Sequence, residues 1–226
     1  MITRYVFETE EDWLKIRLPI FTSSEINRLM ADPTKKEQAA GEILSKGAKT
    51  YIYEKIAGIL GSPKPSYFNA EMQWGQDTEP EAALKFCETK VYDVNSDGVI
   101  YTSQGGRVFF STGKSGGTPD MILPDGIVEI KCPSSHTHLQ YYTILTSKNF
   151  QDELPTYYDQ MQHNMYLCER NKCYFVSYDP RISKGNILIL EIKKDEARVS
   201  QILSKIEYAH KYMNSIIEKQ IGRAHV

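Results

Sequence analysis

Hydrophobic residues recur with two different periods, a helical one in the first third of the chain and a strand-like one after residue 91. Trp13, Ile16 and Ile20 begin the helical pattern. Further helices are predicted at residues 50–60 and 71–88, at 156–170, and from 195 onward. Strands are predicted at residues 92–101 and 107–111, in a hairpin within 116–133, and at 172–178 and 186–193. Glycine, proline and asparagine clusters predict turns at residues 61–65 and 95–98.

Local signals add detail to the helical part. Residues 22–25 (TSSE) have the S/T-x-x-E form of a capping box, which predicts a short helix through residue 30. Residues 31–48 contain a proline, glycines and several lysines, and predict a loop. Pro80 falls within the segment 71–88, where it is tolerated if a helix restarts at that point.

Helices followed by strands, with one helix inserted among the strands and another at the end, predict an α/β fold with a central mixed β-sheet flanked by helices. The 226 residues are enough for one domain with a substantial core, and we assign it to residues 1–220. Residues 221–226 (IGRAHV) depart from the pattern and can be encoded by a common sequencing-adapter sequence. They are predicted to be a non-native or disordered tail.

Composition narrows the class of protein. Hydrophobic residues make up 41% and charged residues 25%, as in soluble globular proteins, and no run of about 18 apolar residues predicts a membrane span. The first residues lack a signal-peptide core, so a cytoplasmic location is expected. The four cysteines form no C-x-x-C pair and are expected to be free thiols. The net charge of −2 means that a nucleic-acid partner would need local positive charge or a bound metal.

Polar residues interrupt the apolar hairpin in a specific pattern. If Asp125-Gly126 is a two-residue turn, Asp120 lies opposite Lys131, and Glu129 shares their face of the hairpin. The alternate residues would face a hydrophobic core: Val128, Ile130 and Cys132.

Two neighbouring carboxylates repel each other unless a cation lies between them. Asp and Glu oxygens suit Mg²⁺ or Mn²⁺, and a lysine beside them can stabilise charge developing on a phosphate. Asp120, Glu129 and Lys131 therefore indicate phosphodiester hydrolysis. The ordinary alternative is an edge hairpin with a solvated Glu–Lys face.

Pro119-Asp120 together with residues 129–131 (EIK) resembles the PD-(D/E)xK nuclease motif. The longer string EIKCP, residues 129–133, is similar to that of lambda-type, or YqaJ-like, alkaline exonucleases of viral recombination. Other stretches match this family in order and spacing: W-x(3)-R…S-E in residues 13–25, W-G-x(3)-E in 74–79, Y-x-x-Q-x-Q in 157–162 and YDPR in 178–181. The resemblance extends over residues 10–181.

The resemblance implies a restriction-endonuclease-like core and a role for each matching residue. Asp120, Glu129 and the backbone carbonyl of Ile130 would ligate the metal, with Glu79 as an outer carboxylate. Lys131 would orient the attacking water or help to deprotonate it.

A second group of residues would grip the terminal 5′-phosphate of DNA: Arg17, Ser24, Thr118 and Gln160. An arginine, hydroxyls and an amide are suitable phosphate donors. Each also has an ordinary structural interpretation. Glu79 could be a solvated helix-start residue, Ser24 a helix cap, Arg17 a surface cation and Gln160 a polar helix position. The two tryptophans, Trp13 and Trp74, are predicted to be core anchors.

As a function, the resemblance implies a Mg²⁺-dependent exodeoxyribonuclease, with Mn²⁺ as a substitute metal. It would digest one strand of linear double-stranded DNA from the 5′ end in viral-type homologous recombination. The expected partners are DNA ends, a single-strand annealing protein and two further copies in a homotrimer ring. A phage or prophage gene expressed in the bacterial cytoplasm is the expected setting.

Three alternatives remain at this point. A PD-(D/E)xK endonuclease would cleave closed circles, which offer no end. An iron–sulfur nuclease of the helicase or CRISPR-adaptation type would need clustered C-terminal cysteines, and Cys168 with Cys173 alone is inadequate. The third is an inactive nuclease-fold protein that only binds DNA, which the presence of Asp120, Glu129 and Lys131 together disfavours.

Overall fold

A computed structural model describes residues 1–62, 69–93, 98–102 and 107–224 of the chain. The turns predicted at 61–65 and 95–98 lie largely outside these residues. The last helix continues through Ala224, and the proposed tail from residue 221 stays a prediction. Within the described residues, no helix combines the length and apolar character needed to cross a bilayer.

Nine α-helices and one short 3₁₀ helix are found in the described parts of the chain. The α-helices are Glu10–Arg17 (α1), Asn27–Met30 (α2), Lys35–Ala39 (α3), Lys46–Ile59 (α4), Ala70–Lys90 (α5), Ser135–Ile144 (α6), Phe150–Glu153 (α7), Pro155–Leu167 (α8) and Glu196–Ala224 (α9). The 3₁₀ helix spans Ser23–Glu25. Side-chain oxygens of Thr9, Ser45 and Asn69 accept backbone N–H groups and begin α1, α4 and α5.

The strands form two sheets. They are Thr3–Phe7 (β1), Phe21–Thr22 (β2), Ile100–Tyr101 (β3), Arg107–Ser111 (β4), Ser115–Gly117 (β5), Met121–Ile122 (β6), Ile127–Lys131 (β7), Lys172–Tyr178 (β8) and Ile187–Lys193 (β9). A five-stranded sheet has the order β3-β6-β7-β8-β9, and a four-stranded sheet has the order β1-β4-β5-β2. Because β7 and β8 are parallel while β6–β7 and β8–β9 are antiparallel, the predicted central mixed sheet is confirmed.

Helices cover both faces of the five-stranded sheet. On one face, Val128 and Ile130 pack with Phe86 of α5. On the other, Ile127 and Phe175 pack with residues of α8. The predicted separation of Val128, Ile130 and Cys132 from the polar face is therefore confirmed. A third apolar cluster joins α2, α4 and α9.

The N-terminal part is less helical than the sequence pattern predicts, because β1 and β2 belong to the four-stranded sheet. The capping box predicted at residues 22–25 is wrong, since Thr22 makes no side-chain capping hydrogen bond. A capping box instead begins α3, where Thr34 and Glu37 exchange hydrogen bonds within the predicted loop. Helix α5 also runs through Pro80 rather than restarting there.

The hairpin register differs from the prediction by two residues. Met121 pairs with Val128 and Ile122 with Ile127, so Pro124 and Asp125 occupy the centre of the turn. Proline has a fixed φ that suits the first central position of such a turn, which explains the shift from Asp125-Gly126. An even shift keeps every side chain on its predicted face, because strand side chains alternate with period two.

Gly117 allows the closest approach between β5 and its neighbours, which leads to a stability prediction. A β-carbon there would lie 2.0 Å from Ser23 Oγ and 2.3 Å from Asn164 Oδ1. Gly117→Ala should therefore lower the free energy of unfolding by about 1–3 kcal/mol, measured by urea denaturation.

The matched control is Gly47→Ala in α4, where the added carbon would meet only Ser45 Oγ, at 3.9 Å. Since alanine favours helix, this variant should be as stable as the wild type or more stable by up to about 1 kcal/mol. Equal unfolding midpoints for Gly117→Ala and wild type would show that β5 has room to move.

Candidate active site

A cavity of about 440 Å³ brings together segments that are distant in the sequence. Its lining comes from α1, the 3₁₀ helix, α5, both sheets and α8. Six of the predicted site residues line it: Arg17, Ser24, Glu79, Thr118, Asp120 and Gln160. Glu129 and Lys131 adjoin it through direct contacts with Gln160 and with each other.

Asp120 precedes β6 and is tied to the neighbouring strand. Its Oδ2 accepts a hydrogen bond from the backbone N–H of Ile130 at 2.6 Å. Its own N–H donates to the carbonyl of Val128 at 3.0 Å. Burial and then the charge of Glu129 hold the pKa of Asp120 well above its usual value. The carboxyl therefore lies beside a like charge that a cation would offset.

Glu129 lies in the centre of β7, and only 1% of the residue is exposed. Its Oε1 accepts hydrogen bonds from Lys131 Nζ at 2.6 Å and from Gln160 Nε2 at 2.5 Å. Asn164 Nδ2 lies 3.5 Å from Oε2. A buried carboxylate needs such donors, because an unpaired charge in the interior is strongly destabilising.

Lys131 is largely buried beside these carboxylates and lies over the Tyr157 ring, with Nζ 5.0 Å from the ring centroid. Burial works to lower the pKa of Lys131, but the charges of Glu129 and Asp120 together raise it above its usual value. The ammonium group therefore holds its proton firmly. This state suits orientation and charge stabilisation better than removal of a proton from water.

Glu79 contributes a third carboxylate from α5. It accepts a hydrogen bond from the hydroxyl of Tyr101 at 3.1 Å, and its charge is among the causes that raise the pKa of Asp120. The adjacent Pro80 has no N–H to donate to the carbonyl of Gln76, which also lines the cavity. The helix thus carries a weakened turn directly beside Glu79.

The donors at this site fit a hard divalent cation in their chemistry. Asp120 and Glu129 both offer carboxylate oxygens, and burial followed by the charge of Glu129 raises the pKa of Asp120, which a cation would counteract. This chemical fit to a cation concerns the Asp120 and Glu129 side chains only. In the parts of the chain that the structure describes, no three histidine, cysteine, aspartate or glutamate side chains come close enough together to form a complete ligand set.

The predicted phosphate-gripping residues are placed around the same cavity, but they differ in their contacts. The guanidinium of Arg17 stacks on Trp13, with 3.9 Å between its carbon and the ring centroid. Ser24 is exposed on the 3₁₀ helix. Thr118 Oγ1 donates to the carbonyl of Val108 at 2.7 Å. The amide Nε2 of Gln160 donates a hydrogen bond to Glu129 Oε1.

Two features were missed by sequence reasoning. His163, one turn after Gln160 in α8, is buried and contacts Ser23 Oγ at 2.8 Å and Ser115 Oγ at 3.0 Å. Burial lowers its pKa to about 3, so the ring is neutral and joins the 3₁₀ helix to β5. The tryptophans predicted as core anchors are instead half-buried partners of arginine side chains. Only the helical spacing from Gln160 could have suggested His163.

Solved structures that are similar to this chain include exonucleases. The crystal structure of an alkaline exonuclease, LHK-Exo, from Laribacter hongkongensis matches with a TM-score of 0.72 and 25% identity, covering 95% of this chain and 98% of that one. The same enzyme in complex with dAMP gives a TM-score of 0.71 and 26% identity over the same shares. A phage-related exonuclease from Haemophilus somnus 129PT matches in fold, with a TM-score of 0.66 and 18% identity over 89% and 96% of the two chains.

These matches confirm the restriction-endonuclease-like core that the sequence predicts. No curated protein matches the chain. The model of the YqaJ-like viral recombinase domain matches residues 12–171, which is more than half of the chain. The resemblance noted in the motifs is thereby confirmed, and the protein belongs to the YqaJ-like viral recombinase domain family.

Proposed function

We propose that this protein is a divalent-metal-dependent exonuclease that digests one strand of linear double-stranded DNA from its 5′ end. The observation that carries the proposal is the meeting of Asp120, Glu129 and Lys131 beside a cavity that also contains Arg17 and Ser24. Alkaline exonuclease activity in the Laribacter structural match supports the same reaction. Its complex with dAMP supports release of mononucleotides.

The end of the DNA strand would enter the cavity with its terminal phosphate toward Arg17 and Ser24. Stacking on Trp13 restrains the Arg17 guanidinium, so little side-chain entropy is lost when a phosphate binds. Thr118 and Gln160 would complete the pocket after exchanging their present partners, the Val108 carbonyl and Glu129. Binding of the end would thereby be coupled to the position of Glu129.

The chemical step would take place between the carboxylates and Lys131. Asp120, Glu129 and the carbonyl of Ile130, with Glu79 farther out, would hold Mg²⁺ or Mn²⁺. When bound, the ion would supply Lewis-acid stabilisation of the phosphate and an acidified water. The Lys131 ammonium would orient the nucleophile and stabilise negative charge on the phosphate oxygens. Gln160 and Asn164 would keep Glu129 in place.

The recombination setting follows from the family, whose description is that of a viral recombinase domain. A single-strand annealing partner, a homotrimer ring and the bacterial cytoplasm belong to this proposal. The iron–sulfur alternative is disfavoured, because the described residues bring together no cluster of cysteines that could hold such a group. The inactive DNA-binding alternative is disfavoured by the intact group of Asp120, Glu129 and Lys131.

Lys131→Ala should reduce Mg²⁺-dependent digestion of linear duplex by about 100-fold or more, because it removes the cation nearest to the carboxylates. Release of acid-soluble nucleotides measures the rate, and circular dichroism verifies folding. Lys211→Ala, at an exposed position of α9, removes the same charge elsewhere and should digest at the wild-type rate. Full activity in Lys131→Ala would remove this residue from the mechanism.

Arg17→Ala should reduce the preference for 5′-phosphorylated over 5′-hydroxyl ends by about 10-fold or more, because a charge-assisted contact to the phosphate is lost. The measurement compares digestion rates of two duplexes that differ only in this phosphate. The control is Arg170→Ala. Arg170 precedes β8, at the end of that strand away from the carboxylates, and donates to the carbonyl of Leu123. An unaltered preference in Arg17→Ala would place the phosphate pocket elsewhere.

Activity should rise with pH, and the rise should move to lower pH when Mg²⁺ is increased about tenfold. Burial and Glu129 raise the pKa of Asp120, so its carboxyl stays protonated to a higher pH than an ordinary aspartate. Protons and the metal ion compete for the same carboxylate, which gives the direction of the shift. Initial rates across a pH series at two Mg²⁺ concentrations test this. If the two pH profiles coincide, protons and Mg²⁺ do not compete for the Asp120 carboxylate.

A further inference from the structure

Two arginine–tryptophan stacks occur in the described residues, and the proposed function uses only one of them. Arg17 stacks on Trp13 at the cavity. Arg181 stacks on Trp74 in the same manner, with 4.0 Å between the guanidinium carbon and the ring centroid. A contact of this kind restrains the guanidinium over the face of the ring. Arg181 and Trp74 do not line the cavity, and the proposed function assigns them no role.

Sheet topology places Arg181 at the same edge as the carboxylates. Strands β7 and β8 are parallel, with Lys131 beside Ser177, so both strands end at one edge of the sheet. Arg181 follows β8 by three residues, in the segment that leads to β9. Its partner Trp74 lies on α5, the helix that also carries Glu79. Arg181 is therefore at the same end of the sheet as the proposed active site.

The orientation of Arg181 is fixed by a buried carboxylate. Nε donates to Asp179 Oδ1 and Nη2 donates to Oδ2, each at 2.8 Å. The Asp179 side chain is fully buried, whereas 49% of the Arg181 side chain is exposed. Within the described residues Nη1 makes no hydrogen bond, so a planar edge with N–H donors points away from the Asp179 pair.

A purely structural role for Arg181, in which it stabilises the turn between β8 and β9, explains its hydrogen bonds to Asp179. It does not explain the contact with Trp74 or the exposed guanidinium edge. A phosphodiester group accounts for all three. Guanidinium edges bind phosphate oxygens with two parallel hydrogen bonds, and a restrained side chain loses little entropy in doing so. The net charge of −2 also means that DNA must be held by cations placed at particular positions.

We propose that Arg181 is a second phosphate-binding site, which takes an internal phosphodiester of the DNA backbone outside the terminal-phosphate pocket. Trp74 and Asp179 are positioning residues that set the plane of its guanidinium. The proposal rests on the proposed function in so far as DNA is the ligand. It adds a contact that is independent of the chemistry at the strand end.

The test is equilibrium binding of a fluorescein-labelled blunt duplex, with either 5′-phosphate or 5′-hydroxyl ends, to the full chain in EDTA over a series of KCl concentrations. Arg181→Ala should weaken binding about tenfold for both duplexes. The slope of log K against log salt should become shallower by about 0.9, which corresponds to one lost phosphate contact. The ratio between the two duplexes should stay at the wild-type value.

Arg170→Ala serves as the matched control. It removes an arginine at the opposite end of β8 and should leave affinity and slope at wild-type values. Arg181→Lys keeps a charge beside Asp179 but loses the fork, so it should retain the slope and lose part of the affinity. It also serves as the test variant if Arg181→Ala unfolds.

Wild-type affinity and slope in Arg181→Ala, or the same losses in Arg170→Ala, would overturn the inference. Should Arg181→Ala unfold, Arg181→Lys with unaltered affinity would overturn it as well. These results differ from failure of the proposed function, which would appear as absence of Mg²⁺-dependent digestion by the wild type. A wild type that digests DNA while Arg181→Ala binds it normally would refute only the second site.

Discussion

Glu129 places a carboxylate in the interior of the sheet, where an unpaired charge would cost several kcal/mol. The surrounding structure supplies its partners. Helix α8 brings the amide of Gln160, and β7 brings Lys131 two residues later. Because these groups are satisfied by one another, the carboxylate stays in place. Asp120, which precedes the adjacent strand β6 and accepts the N–H of Ile130, contributes a second acidic group beside Glu129.

The cavity beside this centre depends on a second set of contacts, which join α8 and the 3₁₀ helix to the four-stranded sheet. Neutral His163 links Ser23 to Ser115, and the absence of a side chain at Gly117 lets these segments approach closely. The 3₁₀ helix with Ser24 is thereby held against the strand that leads to Thr118. Packing in this region consequently fixes the positions of Ser24 and Thr118, which line the cavity.

Period-two alternation was sufficient to predict that Asp120, Glu129 and Lys131 share a face of the hairpin, because this property survives a register error of two residues. The register itself depended on the turn, where the fixed φ of Pro124 outweighed the preference for Asp125-Gly126. Strands β1 and β2 were missed, since β1 pairs with β4 and β2 with β5, about a hundred residues later in the chain. The local pattern of residues does not indicate which distant strands pair. The contact between Glu129 and Gln160 could not be predicted for the same reason, because the two residues are 31 positions apart.

The parallel pairing of β7 with β8 has a consequence for synthesis of the protein. Glu129 lies beside Phe175, and α8 must be completed before β8 can be added. A growing chain that ends before residue 172 therefore lacks the neighbour that holds β7 in the sheet. Such non-local pairing forms slowly compared with local hairpins. The group of Asp120, Glu129 and Lys131 accordingly gains its full support only after residue 178 has been synthesised.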